Sequence, residues 1–112
     1  APFCLVSHDY QEKPHFNYGN RCAQKLWELP WDQFVGLPSQ ASAAPEDRAE
    51  RSTLLSQVRR NGWAKGYRGL RTSAGGRQFW IENVTVWNLY DIQENFRGQA
   101  AIYRDWNHIS EE

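Results

Sequence analysis

The chain has 112 residues, a length that fits one domain, and 40% of them are hydrophobic, which is enough for a packed core. Its 13 Lys and Arg residues balance 13 Asp and Glu residues, so no net charge favours a nucleic-acid partner. With two cysteines and no apolar run near the ~20 residues of a membrane span, we expect no metal site, no membrane contact and a reducing cytoplasmic location.

The first part of the chain predicts a hairpin followed by short helices. Residues 3–7 form an apolar run, and residues 15–19 alternate polar with aromatic side chains, which is typical of strands. Asn20 is a good N-cap for a helix whose apolar residues recur at helical spacing until Pro30 ends it. Residues 31–35 then predict one more helical turn.

The best-marked helix is predicted over residues 45–61. Pro45 suits its first position, acidic residues follow at once, and arginines occupy its last turn, as the helix dipole favours. Its apolar stripe consists of Leu54, Leu55 and Val58, and the charged remainder is expected to face water.

The rest of the chain predicts three antiparallel strands, at 63–72, 78–90 and 97–106, joined by turns. The order of strands and helices indicates an α+β domain in which short helices pack on one face of a five-stranded antiparallel sheet. We expect a single domain over residues 1–109 and a frayed acidic tail over 110–112.

This order of elements resembles the PAS fold, and local residues agree with it. Residues 20–27 followed by 31–36 resemble the PAS helical stretch that ends at a glycine, and Arg104-Asp105 resembles the end of the last PAS strand. The chain is more closely similar to the bacterial form of the MEKHLA domain, although the hexapeptide that names the family is absent. The matching segments are 17–20, 26–28, 36–39, 77–79, 81–82, 86–89 and 98–101. The resemblance implies a regulatory role in sensing or protein association and leaves the ligand open.

Two cofactors known in PAS domains are not expected here. A cysteinyl-flavin site needs a reactive thiol shortly after the glycine that closes the helical stretch, and the residue three positions after Gly36 is Ser39. A haem site would require a histidine on the long helix, and residues 45–61 contain none. His8, His15 and His108 are expected in loops or at strand ends, as solvated side chains. We therefore predict no cofactor.

A small-ligand pocket is the first functional hypothesis. Alternation along 78–90 places Phe79, Ile81, Asn83, Thr85, Trp87 and Leu89 on one face, which similarity to PAS strands turns towards the helices. The predicted ligand-binding residues are Tyr67, Arg71, Phe79, Ile81, Asn83, Trp87, Gln99 and Tyr103. If Arg71 points inward without an acidic partner, a carboxylate or phosphate ligand is favoured. A packed core without a ligand is the equally weighted alternative.

The opposite sheet face predicts protein association. It would carry the apolar residues Trp80, Val84, Val86, Ala100 and Ile102, with Glu82 and Arg104 as a pair at the rim. We expect this face to be covered by a second copy of the domain or by a missing N-terminal helix. The alternative function is a small α+β enzyme in which the carboxylate of Glu82 or Asp105 acts in the same cavity.

Overall fold

The computed structural model describes residues 2–109. Its strands are β1 (Cys4–His8), β2 (Phe16–Gly19), β3 (Trp63–Thr72), β4 (Gln78–Tyr90), β5 (Phe96–Tyr103) and β6 (Asp105–His108). Its helices are α1 (Arg21–Trp27), α2 (Trp31–Phe34) and α3 (Arg48–Asn61), with two short 3-10 helices at Ser39–Ser42 and Pro45–Asp47. The tail predicted at 110–112 lies outside the described residues.

The strands form one antiparallel sheet in the order β2-β1-β5-β4-β3. The last predicted strand is divided at Arg104: β5 pairs with residues 85–90 of β4, and β6 pairs with residues 79–82. The predicted α+β class, an antiparallel sheet with short helices on one face, is confirmed, with one short strand more than expected.

The helices pack against one face of the sheet. Asn20 caps α1 by accepting a hydrogen bond from the Ala23 amide at 3.1 Å. The Asn88 side chain of β4 donates to the Val58 carbonyl of α3 at 2.9 Å and so links that helix to the sheet. The core between these elements includes Trp27, Phe34 and Phe79, whose rings meet edge to face. Within residues 2–109, no helix is long and apolar enough to cross a membrane.

Asn83 interrupts the alternation of β4. It is exposed and has a φ of +50°, and β3 advances two residues where β4 advances three, so Asn83 forms a bulge. Phe79 and Ile81 are buried before the bulge, whereas Val84 and Val86 are buried after it. One extra residue moves every later side chain to the other face.

The bulge overturns part of the predicted orientation. Asn83 and Trp87, predicted to face the helices, do not do so: Asn83 is exposed, and Trp87 lies on the outer face in register with Trp63 and Ala100. Val84 and Val86, predicted for the outer face, are core residues on the helix side.

Candidate ligand cavity

A cavity of about 60 Å³ lies between the helices and the sheet. Its apolar wall comes from all parts of the fold and includes Val6, Phe16, Leu54, Ile81, Val84, Val86 and Ala101. Polar side chains also reach it, namely His8, Ser42, Arg51, Tyr67, Arg71, Gln99 and Tyr103. A mostly apolar space with a few convergent polar groups is typical of a small-molecule site.

The predicted ligand-binding residues divide into two groups. Those that line the cavity are Tyr67, Arg71, Ile81, Gln99 and Tyr103. Phe79 is fully buried in the core against Trp27 but is not part of the wall, and Asn83 and Trp87 lie away from it because of the bulge.

A buried polar network, which the sequence analysis missed, forms one end of the cavity. The Gln99 nitrogen donates to the Leu55 carbonyl at 3.0 Å and to the Asn88 oxygen at 3.1 Å. Its oxygen therefore faces His8 Nε2 at 3.1 Å, so that ring nitrogen is the donor. His8 Nδ1 is then the acceptor for the Ser39 hydroxyl at 3.1 Å.

His8 is neutral in this network. Burial lowers the pKa of His8 to about 4; the hydrogen bond that its Nε2 donates to Gln99 opposes this change, and the charge of Arg51 adds to it. His8 was expected in a loop or at a strand end as a solvated residue; it is the last residue of β1, but it is buried, with only 7% exposed. Its alternation with Cys4 and Val6, which are both buried, is the signal that could have identified it.

Arg51 completes the network from α3. Its Nη2 donates to the Ser39 hydroxyl at 2.5 Å, and the side chain is 7% exposed. Burial lowers the pKa of Arg51 to about 10, and the nearby charge of Arg71 contributes to the decrease. Arg51 was expected to face water, but it precedes Leu54 by three residues and Leu55 by four, which places it on the apolar stripe of the helix.

A second polar cluster surrounds Asp47, which is 4% exposed. Its Oδ2 accepts hydrogen bonds from the Leu70 amide at 2.9 Å, the Tyr67 hydroxyl at 3.3 Å and Arg71 Nη1 at 3.4 Å. Arg71 therefore points inward as predicted, but it has an acidic partner. The charge that lacks such a partner belongs to Arg51: among residues 2–109, no carboxylate oxygen lies within 4 Å of its guanidinium.

Two residues that line the cavity also carry a buried polar atom without a hydrogen-bond partner among the described residues: the indole nitrogen of Trp27 and the hydroxyl of Tyr103. Burial raises the pKa of Tyr103 well above its ordinary value, and the adjacent Cys4 adds to the rise. The hydroxyl is therefore protonated at neutral pH and offers both a donor and acceptor sites.

An open cleft of about 370 Å³ adjoins the cavity beneath the β1–β2 loop. Four residues line both spaces: His8, Arg51, Leu55 and Gln99. The polar network therefore separates the cavity from solvent, and the cleft is the natural route of access.

The carboxylates considered for an enzyme lie elsewhere. Glu82 is held by Arg68 at 2.6 Å and by Asn107 at 3.3 Å, and Asp105 is its exposed partner across the β4–β6 pair. Neither lines the cavity. The predicted pair of Glu82 with Arg104 is replaced by the pair with Arg68. In the described part of the chain, no three His, Cys, Asp or Glu side chains are grouped to hold a metal ion.

The outer sheet face has an apolar centre, but several of its residues differ from those predicted. Ala100 and Ile102 lie on it, in register with Ser7 and Leu5 of β1 and with Trp87 and Thr85 of β4. Trp63 extends the row and is 56% exposed. Trp80 also lies on this side of β4, but Arg68 covers its ring at 3.8 Å.

Comparison with known proteins identifies the family. The sequence profile of the MEKHLA domain matches residues 1–108. The chain is a member of the MEKHLA domain family. No functionally curated protein matches it.

Solved structures establish the fold of this MEKHLA domain. The PAS domain of a Colwellia psychrerythraea protein has a TM-score of 0.79 and 21% identity, covering 94% of this chain and 86% of that one. The LOV domain of the Erythrobacter litoralis EL346 blue-light activated histidine kinase has a TM-score of 0.75 and 19% identity, covering 99% of both chains. The fungal photoreceptor Vivid, in a light-state dimer, has a TM-score of 0.72 and 13% identity over 91% of this chain and 76% of its own. The MEKHLA domain thus has the PAS/LOV fold.

A flavin does not fit the MEKHLA cavity. An engineered cavity of about 150 Å³ holds a single benzene ring, and the cavity here is about 60 Å³. The three fused rings of a flavin would displace core side chains such as Val84 and Val86. Ser39 has a hydroxyl that bonds to His8 and Arg51, and it cannot form a thiol adduct.

Proposed function

We propose that this MEKHLA domain is a regulatory sensory module that binds a small polar ligand in the cavity between α3 and the sheet. The observation that carries the proposal is the pair of buried, unpartnered polar atoms on residues that line the cavity, Trp27 Nε1 and Tyr103 Oη. A buried polar group without a partner costs about 1–3 kcal/mol, so a ligand that bonds to both has a source of affinity and specificity.

Ligand binding at this position would couple separate parts of the fold. Trp27 belongs to α1, Arg51 to α3 and Tyr103 to β5, and all three line the cavity. A ligand that contacts them would stabilise the packing of both helices on the sheet. We expect this stabilisation to be the regulatory output of the domain.

A thermal-shift screen of small polar molecules tests the proposal. The wild-type melting temperature should rise saturably with a ligand. Ala101→Leu should abolish the rise, because the leucine side chain would occupy the cavity. Ala49→Leu on the exposed side of α3 is the matched control. An Ala101→Leu protein that responds like the wild type, or a wild type that responds to no compound, would contradict the proposal.

Association through the outer face is a second candidate function, favoured by the exposed Trp63 beside Ile102, Leu5 and Trp87. We propose a second copy of the domain as its partner, as Vivid forms a light-state dimer on the same fold. Light scattering at high concentration should show a dimer for the wild type and a monomer for Ile102→Glu. Ile92→Glu, at a 96% exposed loop position away from this face, should leave the dimer intact. A wild-type monomer would refute the association.

The cytoplasmic location stays a prediction.

A further inference from the structure

Among the groups that line the cavity, the Arg51 guanidinium most clearly lacks hydrogen-bond partners and a counter-charge. It has five N–H donors, and among residues 2–109 its side chain makes one hydrogen bond, to the Ser39 hydroxyl. The residue is buried, with 7% of its surface exposed. A buried cation that lacks an anion is strongly disfavoured, so the geometry calls for a negative group beside it.

The charges around the cavity leave one positive charge unbalanced. Arg71 is compensated by Asp47, and His8 is neutral because both of its ring nitrogens are used as the neutral tautomer requires. Tyr67 and Tyr103 are uncharged at neutral pH. A singly charged anion at Arg51 would make the cavity neutral, whereas a doubly charged anion would leave an excess negative charge.

We propose that the cavity ligand is a small monocarboxylate bound by Arg51, an inference that rests on the proposed function. A carboxylate matches the planar guanidinium with two parallel hydrogen bonds. The volume of about 60 Å³, below the roughly 150 Å³ that holds benzene, limits the ligand to the size of formate or acetate. Leu54 and Val86 in the wall suit a methyl group at its other end.

Calorimetry in carboxylate-free buffer tests this class with acetate, acetamide and phosphate. Acetate should bind saturably, and acetamide, which has the same shape without the charge, should bind at least ~10-fold more weakly, as should phosphate. Arg51→Gln should weaken acetate binding by at least ~10-fold, and Arg60→Gln, at an exposed position of the same helix, should leave it unchanged.

The outcomes separate this inference from the proposed function. Equal binding of acetamide and acetate, or of acetate to Arg51→Gln and wild type, would overturn the carboxylate while the cavity remained a ligand site. Binding of none of the three compounds by the wild type would overturn the carboxylate proposal, and the broader screen would then decide the cavity. The acetate and acetamide comparison uses the wild type alone, so it stands even if Arg51→Gln does not fold.

The two cysteines of the chain lie side by side. The sulfur of Cys4, on β1, lies 2.8 Å from the sulfur of Cys22, on α1. Cys4 is buried and Cys22 is half-buried, so reagents can reach the pair through Cys22.

The backbone around the pair is fixed without help from the sulfurs. The Asn20 amide donates to the Leu5 carbonyl at 3.0 Å, and its side-chain oxygen accepts from the Leu5 amide at 3.2 Å. The same oxygen caps α1, and the side-chain nitrogen donates to the Phe3 carbonyl at 3.0 Å. Asn20 thus holds the segments that carry Cys4 and Cys22 side by side.

We infer that Cys4 and Cys22 form a reversible disulfide when the domain meets a hydroperoxide. The Cys22 thiolate attacks the peroxide oxygen, which gives a sulfenic acid and, after protonation of the leaving group, water or an alcohol. The Cys4 sulfur then attacks the Cys22 sulfur, and its proton leaves with the hydroxyl as water. Two thiols are oxidised and one peroxide is reduced.

Intact mass and thiol labelling of dilute, peroxide-treated protein test this inference. The wild type should lose two hydrogens, resist alkylation in denaturant until it is reduced, and melt on the order of 10 °C higher. Cys22→Ser should show neither the loss nor the shift. A sulfinic acid on Cys22 with Cys4 still free, a disulfide between chains, or a lower melting temperature of the oxidised form would overturn it.

Discussion

Acid should destabilise this domain through His8. The folded protein holds His8 neutral between Gln99 and Ser39, and burial lowers its pKa to about 4. In the unfolded chain its pKa returns to about 6.5. Between these two values the unfolded state binds a proton that the folded state does not, so the free energy of unfolding falls as the pH falls.

The size of the effect follows from the difference between the two pKa values. This difference corresponds to about 3 kcal/mol of the free energy of unfolding. That stability is fully present above pH ~6.5 and is lost by pH ~4. For a domain with a total stability of about 5–15 kcal/mol, this loss is a large fraction.

Urea denaturation at a series of pH values measures the effect, with His8→Gln as the reference. Other acidic groups contribute to both proteins, so the difference between the two curves isolates His8. We expect the wild type to lose about 3 kcal/mol more than His8→Gln between pH 7 and pH 4. Parallel curves would refute the buried, neutral His8, and so would a wild type that gains stability relative to the variant in acid.

Three further predictions concern single side chains. Asp47→Ala leaves Arg71 buried without its partner, so urea denaturation should show a loss of roughly 3–5 kcal/mol, and a loss below ~1 kcal/mol would contradict the cluster. Trp27→Ala should cost roughly 3–5 kcal/mol by the same assay, and Trp87→Ala on the outer face distinctly less; equal losses would contradict the bulge. Asn83→Gly should be tolerated and Asn83→Val should cost about 1–2 kcal/mol, because φ is positive there; the reverse order would exclude the left-handed conformation.

Much of the fold could be predicted because local signals agree with it. Asn20 as an N-cap and the strand at 63–72 occur as expected, whereas the helix predicted to end at Pro30 ends earlier, at Trp27, with Glu28 in the left-handed conformation, and Pro30 instead precedes α2. The division of the last strand at Arg104 could not be predicted, because it lies opposite the Asn83 bulge of β4 and is marked by no glycine or proline.

The errors in the predicted site have one main cause. Alternation along β4 was extended through Asn83, and asparagine gives only a weak signal for a positive φ. The orientation is therefore correct before the bulge, at Phe79 and Ile81, and reversed after it, at Val84, Val86 and Trp87.

Two further errors arose because residue type was given more weight than position in the strand or helix. Arg51 and His8 follow the apolar periods of their elements, but charged and titratable residues were assigned to water. The proximity of Cys4 and Cys22 depends on how α1 packs on β1, which no spacing in the sequence encodes.

The most direct test of the ligand cavity is a nitrogen-proton NMR titration that follows the indole N–H signals of the tryptophans. Trp27 lines the cavity, whereas Trp63 and Trp87 lie on the outer face. Addition of acetate, and separately of acetamide, should show a saturable shift of the Trp27 signal with at least one of them, while the Trp63 and Trp87 signals stay in place. A Trp27 signal that stays fixed with both compounds, or that moves no more than those of Trp63 and Trp87, would contradict the binding of acetate or acetamide between α3 and the sheet, and with it the assignment of the cavity to a small carboxylate.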